Sequence, residues 1–206
     1  ESYNSTLSDT KDLLFEFDNR DKDKERYKGA AYSGLNYDQE TNSYWATGYN
    51  GSNTAYTIVN SGGTLRVNVT DGTDASGTYG PWIKITNTYG KMPTYNSPDL
   101  YPLNFDPSGV KVVTIRFKLV NCSVVTDKLP EIIFEYYYTS GGTATYANDM
   151  KAIYTFRDGE YMAISIPVSS KLRNADVLKG FGFRFRNVRG TNGTIYIDYI
   201  YIGASG

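Results

Sequence analysis

The fold class that the sequence predicts is all-β, an antiparallel β-sandwich of jelly-roll-like form. Three observations point there. Runs of β-branched and aromatic residues recur at near-regular spacing, with Gly, Pro, Asn and Asp clusters between them. Apolar and polar positions alternate inside those runs, which is the period of a half-buried strand. Helical periodicity is almost absent. The 206 residues read as one domain, with 1–12 as a frayed lead-in, and the opening ESYNST and closing GASG suggest a domain cut from a larger protein. That length supports a core without disulfide or metal staples.

LLFEFD (13–18) alternates and opens the sandwich. The charge run NRDKDKERYKG (19–29) reads as a solvated loop or one short helical turn, and the aromatic, Gly- and Asn-rich stretch 30–53 as a loop region with short extended pieces. TAYTIV (54–59) and GTLRVNVT (63–70) flank an NSGG turn, a hairpin signal. Residues 71–80 are loop, and PWIKITN (81–87) is a strand. A long loop with four prolines follows over 88–109, and loops of that length in compact domains are usually functional or disordered. VKVVTIRFKLVNCSV (110–124) is the longest strand, then EIIFEYYYTS (131–140) and a Gly-Gly break. MKAIYTFR (150–157), DGEYMAISIPV (158–168), KGFGFRFRNV (179–188) and GTIYIDYIYIG (193–203) complete the strands, and 169–178 holds the one expected helical turn.

Strand alternation sorts the faces. Val113, Ile115, Phe117 and Leu119 oppose Thr114, Arg116 and Lys118. Phe181, Phe183 and Phe185 oppose Arg184 and Arg186, and Ile132, Phe134 and Tyr136 oppose Glu131, Glu135 and Tyr137. Ile83 and Ile85 oppose Trp82, Lys84 and Thr86, and Leu65, Val67 and Val69 oppose Arg66 and Asn68. If these strands share a sheet, its outer face brings Trp82, Tyr137, Arg116, Arg184 and Glu135 together. Flat rings beside hydrogen-bonding groups suit a sugar, whose C–H face packs on a ring while its hydroxyls take hydrogen bonds. The plainer account is that these charges pair across strands to keep a surface soluble.

The loops offer a second surface. Tyr44, Trp45 and Tyr49 lie in NSYWATGYN, Tyr79 beside Trp82 in GTYGPW, and Tyr89, Tyr95 and Tyr101 in the proline-bounded stretch. Tyr-rich loops held by proline make rigid platforms at low entropic cost. Some of these rings must plug the ends of the sandwich, Trp45 first among them.

Composition excludes several classes. Net charge is −1 and pI about 5.5, so nothing draws the chain to nucleic acid or an anionic membrane, and no apolar run approaches a membrane span. The absence of histidine removes Ser–His and Cys–His pairs and the usual zinc ligands. The single cysteine, Cys122, forms no internal disulfide and reads as a buried, inert thiol. Five N-x-S/T sequons, at Asn4, Asn50, Asn68, Asn121 and Asn192, arise easily in a chain this rich in Asn, Ser and Thr. Glycoside hydrolysis needs two carboxylates about 5–9.5 Å apart. Glu131 and Glu135 share a strand face but lie ~13 Å apart, whereas Glu16 and Asp18 lie ~6.6 Å apart, at ~3.3 Å per residue. The latter pair leaves an enzyme open, and a non-catalytic binding domain is favoured.

The two ends, LLFEFDNRD and IYIDYIYIG, resemble the frame of β-sandwich carbohydrate-binding modules appended to bacterial cell-surface and secreted glycan-degrading proteins, in which an early strand reads F-E and the last reads Y-I-D-x-V/I. The RY…AYSG.NYD stretch (26–38) resembles domains of large surface proteins of Gram-positive anaerobes. The resemblance implies an extracellular domain, a monomer tied to other domains of its parent chain, with a polysaccharide as partner. It leans toward α-glucan, as in starch-adherence proteins, because curved chains suit loop-borne rings. It also implies a structural Ca²⁺ held by Glu16, Asp18 and Asp198, with carbonyl oxygens completing the shell. The alternatives are an adhesive module that binds protein or cell wall, and a glycan lyase or hydrolase.

Overall fold

The computed structural model describes residues 12–17, 45–49, 52–56, 59–61, 63–69, 80–88, 91–94, 96–190 and 192–205. In chain order the strands are β1 (Leu13–Phe15), β2 (Trp45–Tyr49), β3 (Ser52–Tyr56), β4 (Val59–Ser61), β5 (Thr64–Val69), β6 (Pro81–Ile85), β7 (Val112–Val120), β8 (Ser123–Val124), β9 (Glu131–Ser140), β10 (Thr143–Ala152), β11 (Tyr161–Pro167), β12 (Val177–Arg186), β13 (Val188–Arg189) and β14 (Gly193–Gly203). A one-turn helix, Ser170–Arg173, lies in the stretch where a turn was expected; the Ser169 side chain caps it by accepting from the Lys171 amide.

The strands form an antiparallel β-sandwich. The first sheet runs β11-β7-β14-β5-β4, with β1 pairing β14 as well, and the second runs β10-β9-β12-β6-β2-β3. β14 lies along β7 on one side; on the other, its first half pairs β5 and its second half pairs β1. The closing strand is therefore clasped to the opening one, Leu13 opposite Ile202 and Phe15 opposite Ile200.

The alternation read from sequence sets the core. Val113, Ile115, Phe117, Leu119, Leu65 and Val67 from the first sheet meet Phe181, Phe183, Phe185, Ile132, Phe134, Tyr136, Ile83 and Ile85 from the second, all buried. Each large apolar side chain removed from water contributes about 1.5–3 kcal/mol. Two β-bulges keep that face apolar. β14 turns Ile195 and Ile197 inward, then Ile200 and Ile202; the register shift between Ile197 and Tyr199 absorbs the change of parity at Asp198. β12 does the same between Leu178 and Gly180, so that buried Leu178 is followed by buried Phe181.

The structure differs from the sequence reading at five points: the expected 110–124 strand breaks into β7 and the two-residue β8, which leaves β14 the longest, the expected 150–157 strand ends at Ala152, and three more follow. Trp45–Tyr49, in the stretch expected to be loop with short extended pieces, is a sheet strand paired with β6. The expected 54–59 strand is divided: β3 joins the second sheet beside β2, while β4 makes the hairpin with β5 in the first. β10 begins at Thr143, because Gly141 and Gly142, both at positive φ, turn the chain directly back along β9. The Gly-Gly pair is a hairpin turn and not a break between distant strands.

Candidate functional site

The outer face of the second sheet gathers six of the polar and aromatic residues that the sequence nominates, most of those whose side chains are described. Register places Trp82 of β6 opposite Arg184 of β12, and Arg184 opposite Ile133 of β9. In the next row Lys84, Gly182, Glu135 and Asn148 follow one another across β6, β12, β9 and β10. Gly180, Tyr137 and Tyr146 form the third row. The face thus alternates large side chains with a glycine stripe on its central strand.

That stripe lets long side chains lie flat. A Cβ on Gly180 would run into the Tyr101 ring, and one on Gly182 would run into the Lys84 stem and the Ile83 carbonyl. Tyr101 therefore rests on bare backbone and stacks on Tyr137, with ring centroids 4.6 Å apart and planes 14° from parallel. Tyr137 is sealed beneath it, only 5% exposed. Backbone bonds hold the loop in place: the Asn87 amide donates to the Leu100 carbonyl and the Leu103 amide to the Lys179 carbonyl. Burial pushes the Tyr101 hydroxyl well above the ordinary tyrosine value, and the nearby Glu135 adds to it.

One carboxylate organises the charges. Glu135 is 3.7 Å from Lys84 Nζ and 3.6 Å from Arg184. Lys84 Nζ also donates to the Pro93 carbonyl at 3.2 Å, which ties the proline-rich loop to the sheet. Burial draws the Lys84 ammonium below the ordinary lysine value, and Glu135 pulls it part of the way back. Both cations lie against Trp82: Lys84 Nζ is 4.8 Å and Arg184 Cζ 5.3 Å from its ring centroid. The half-buried Trp82 has its indole N–H buried with no hydrogen-bond partner. Such a donor costs about 1–3 kcal/mol until an acceptor reaches it.

Of the expected ligand-binding residues, Trp82, Lys84, Glu135, Arg184 and Tyr101 thus share this face; Tyr137 lies on it too, but Tyr101 covers its ring and leaves it no face for a ligand. Arg116 is not on this face. It lies on β7 of the other sheet, because β7 and β9 never pair, and its Nη1 donates to Asp198 at 2.6 Å. Trp45 is also corrected as a binding residue. It is 4% exposed, packed edge-on against Phe15, Phe17 and Phe181 with centroids 5.5–5.9 Å away, and offers no ring face to a ligand. Tyr49 lies on β2, and its side chain is outside the described residues, as are Tyr44, Tyr79, Tyr89, Tyr95 and Asp18. Tyr146, 56% exposed on β10, joins the face and escaped the sequence reading. Reading Gly141-Gly142 as a two-residue hairpin turn would have placed it opposite Tyr137.

Of the three residues of the implied calcium site, Asp18 lies outside the described residues. Asp198 sits at the β14 bulge and gives its carboxylate to Arg116, a cation that would repel a metal there. Among the described residues no group of three His, Cys, Asp or Glu could hold a metal ion. Cys122 is buried, as its apolar setting suggests, and its thiol faces the Val120 carbonyl at 3.6 Å.

No protein-family model matches the chain, and no curated protein matches it. Among solved structures it is similar to a carbohydrate-binding module specific for non-crystalline cellulose, CBM28, at 13% identity and a TM-score of 0.47, over 86% of this chain and 97% of that one. A family 11 carbohydrate-binding module from Clostridium thermocellum, in complex with a β-1,3-1,4-mixed-linked tetrasaccharide, shares 16% identity at a TM-score of 0.45, over 79% and 89%. CBM27-1 from Caldicellulosiruptor saccharolyticus, in complex with mannohexaose, shares 13% at 0.43, over 80% and 92%. Likeness at this level says nothing of a ligand for this chain.

Proposed function

We propose that this domain binds a polysaccharide without cleaving it, on the outer face of the second sheet. One observation carries the reading: half-buried Trp82 stands beside Lys84, Arg184 and Glu135, with the flat Tyr101 ring on the same face. Gly180, beneath Tyr101, is four residues along β12 from Arg184, which faces Trp82, so the backbone positions that carry the two rings lie about 13 Å apart along the strand at ~3.3 Å per residue. That distance exceeds one pyranose, and a chain of several sugars would bridge it. Rings would take the C–H faces, and the charged groups and Asn148 would take the hydroxyls.

Under this reading the domain works outside the cell, as a monomeric docking unit for the other domains of its parent chain. α-Glucan belongs on the ligand panel because of the loop tyrosines. A structural Ca²⁺ is retained only as a chelator test.

Affinity electrophoresis through gels containing starch, mixed-linked glucan, xylan, mannan and soluble cellulose tests the proposal. Retardation by at least one neutral glycan is expected, weakened about tenfold in Trp82→Ala, the loss of roughly 1.4 kcal/mol. No retardation on any glycan overturns it in favour of an adhesive module. Release of reducing ends from the bound glycan moves the protein to the enzymes.

A further inference from the structure

The outer face of the first sheet carries a row that the Trp82 surface does not use. Register sets Tyr161 of β11 opposite Lys118 of β7, Lys118 opposite Tyr196 of β14, and Tyr196 opposite Arg66 of β5. The side chains interleave accordingly. Lys118 Nζ is 4.7 Å from the Tyr161 centroid and 4.8 Å from that of Tyr196. Arg66 Cζ is 5.9 Å from Tyr196, and Arg116 Cζ is 4.2 Å from Tyr161. Cations and rings alternate across four strands, a span of about 14 Å at ~4.8 Å per strand gap.

The cations of the row differ from those of the Trp82 face in what stands against them. Lys84 and Arg184 share Glu135, Arg186 has Glu131 at 3.9 Å, and Arg116 has Asp198. Lys118 and Arg66 meet no carboxylate within ion-pair reach among the described residues. Aromatic rings hold these two cations in place without neutralising them. Arg66 is exposed, while Lys118, Tyr161 and Tyr196 are half-buried. Beside the row, Asn68 stands opposite Thr194 and adds an amide and a hydroxyl.

We infer that the Tyr161–Lys118–Tyr196–Arg66 row is a second glycan-binding surface whose ligand is an acidic polysaccharide bearing carboxylate or sulfate groups. The anionic groups accept charge-assisted hydrogen bonds from Lys118 and Arg66. Tyr196 and Tyr161 pack against the sugar, and Asn68 and Thr194 meet its hydroxyls. Neutral glycans leave the two cations unanswered, so the row discriminates by charge where the Trp82 face does not.

Isothermal titration of the whole chain tests this. Polygalacturonate supplies the carboxylate and dextran sulfate the sulfate; methyl-esterified polygalacturonate and dextran are their uncharged counterparts. At least one charged polymer is expected to bind, with its uncharged counterpart at least about tenfold weaker. Arg66→Gln/Lys118→Gln should lose about tenfold, and Trp82→Ala should stay within about twofold. Raising salt from 0.01 to 0.1 M, which shortens the Debye length from ~30 to ~10 Å, should weaken binding several-fold. The inference is overturned if neither charged polymer binds, if the uncharged polymers bind equally well, or if the double variant binds as tightly as the native chain. Should the double variant melt far below the native protein, the salt series decides, since salt-independent affinity also overturns it. Failure here leaves neutral-glycan retardation and its dependence on Trp82 untouched.

Discussion

On the outer face of the second sheet, cations are neutralised and pressed down. Glu135 answers both Lys84 and Arg184, the Lys84 stem lies over Gly182, and the proline-rich loop closes on its ammonium. On the outer face of the first sheet, cations stand among tyrosines, and the one ion pair there among the described residues, Arg116–Asp198, is about one-third exposed at each partner. The central strands explain the difference. β12 carries Gly180 and Gly182 outward, which lowers the floor and invites burial. β7 and β14 carry Arg116, Lys118, Tyr196 and Tyr199 outward, which raises the floor and keeps charge near water. The same sandwich thus presents one tightly organised face and one open, electropositive row.

The largest effect that separates the two faces is expected at Glu135. Glu135→Gln leaves Lys84 and Arg184 largely desolvated and unneutralised, and should cost about 2–4 kcal/mol of stability in urea melts; a cost below about 1 kcal/mol would show that the cluster is effectively solvated. Gly180→Ala follows, because the new methyl displaces Tyr101 from Tyr137. A loss of about 1–3 kcal/mol is expected, with weaker glycan retardation alongside. An unchanged melt would mean that Tyr101 does not rest on the sheet in solution.

Alkaline pH sharpens the contrast. The folded-state value of Tyr101 is raised above its unfolded value of about 10, so the stability it contributes is complete below that pH and is lost as pH rises beyond it. Thermal melts from pH 8 to 11 should therefore fall less steeply in Tyr101→Phe than in the native protein. Tyr161, on the open face, is shifted in the same direction, by burial first and then by Asp198, so Tyr161→Phe should flatten the profile less. The smallest effect belongs to Asp198→Asn. An ion pair so exposed contributes at most about 1 kcal/mol. Melts with and without chelator should coincide, and a chelator-dependent drop would restore an ion at the first and last strands.

Much of this was legible in the sequence because strand alternation is local. The inward Phe181, Phe183 and Phe185 and the outward Trp82, Lys84, Arg184 and Glu135 follow from a period of two and need no knowledge of the partner strand. Trp45 was legible both as a plug and as a binding residue, and its burial favours the plug, because aromatic residues in an Asn- and Gly-rich stretch look the same whether they cap a core or line a surface. Tyr146 was missed because a two-glycine turn and a strand break share one spelling. Arg116 was grouped with Trp82 because alternation assigns a face to a residue but not a sheet to a strand.

Asp198 in IYIDYIYIG shows the division most plainly. The spacing of Ile195, Ile197, Ile200 and Ile202 already encodes a change of parity, since only a bulge returns all four to one face. By itself, then, the sequence determined the all-β class and the core faces of β5, β6, β7, β9 and β12, whereas the bulge at the acid became visible only with the register of β14. Only the tertiary structure decided that β14 lies between β7 and the β5–β1 pair, so that Asp198 meets Arg116, and that β6, β9 and β12 bring Trp82, Glu135 and Arg184 together. The physical reason is that side-chain direction is set by neighbouring backbone, whereas strand pairing is settled by contacts among residues far apart in the chain.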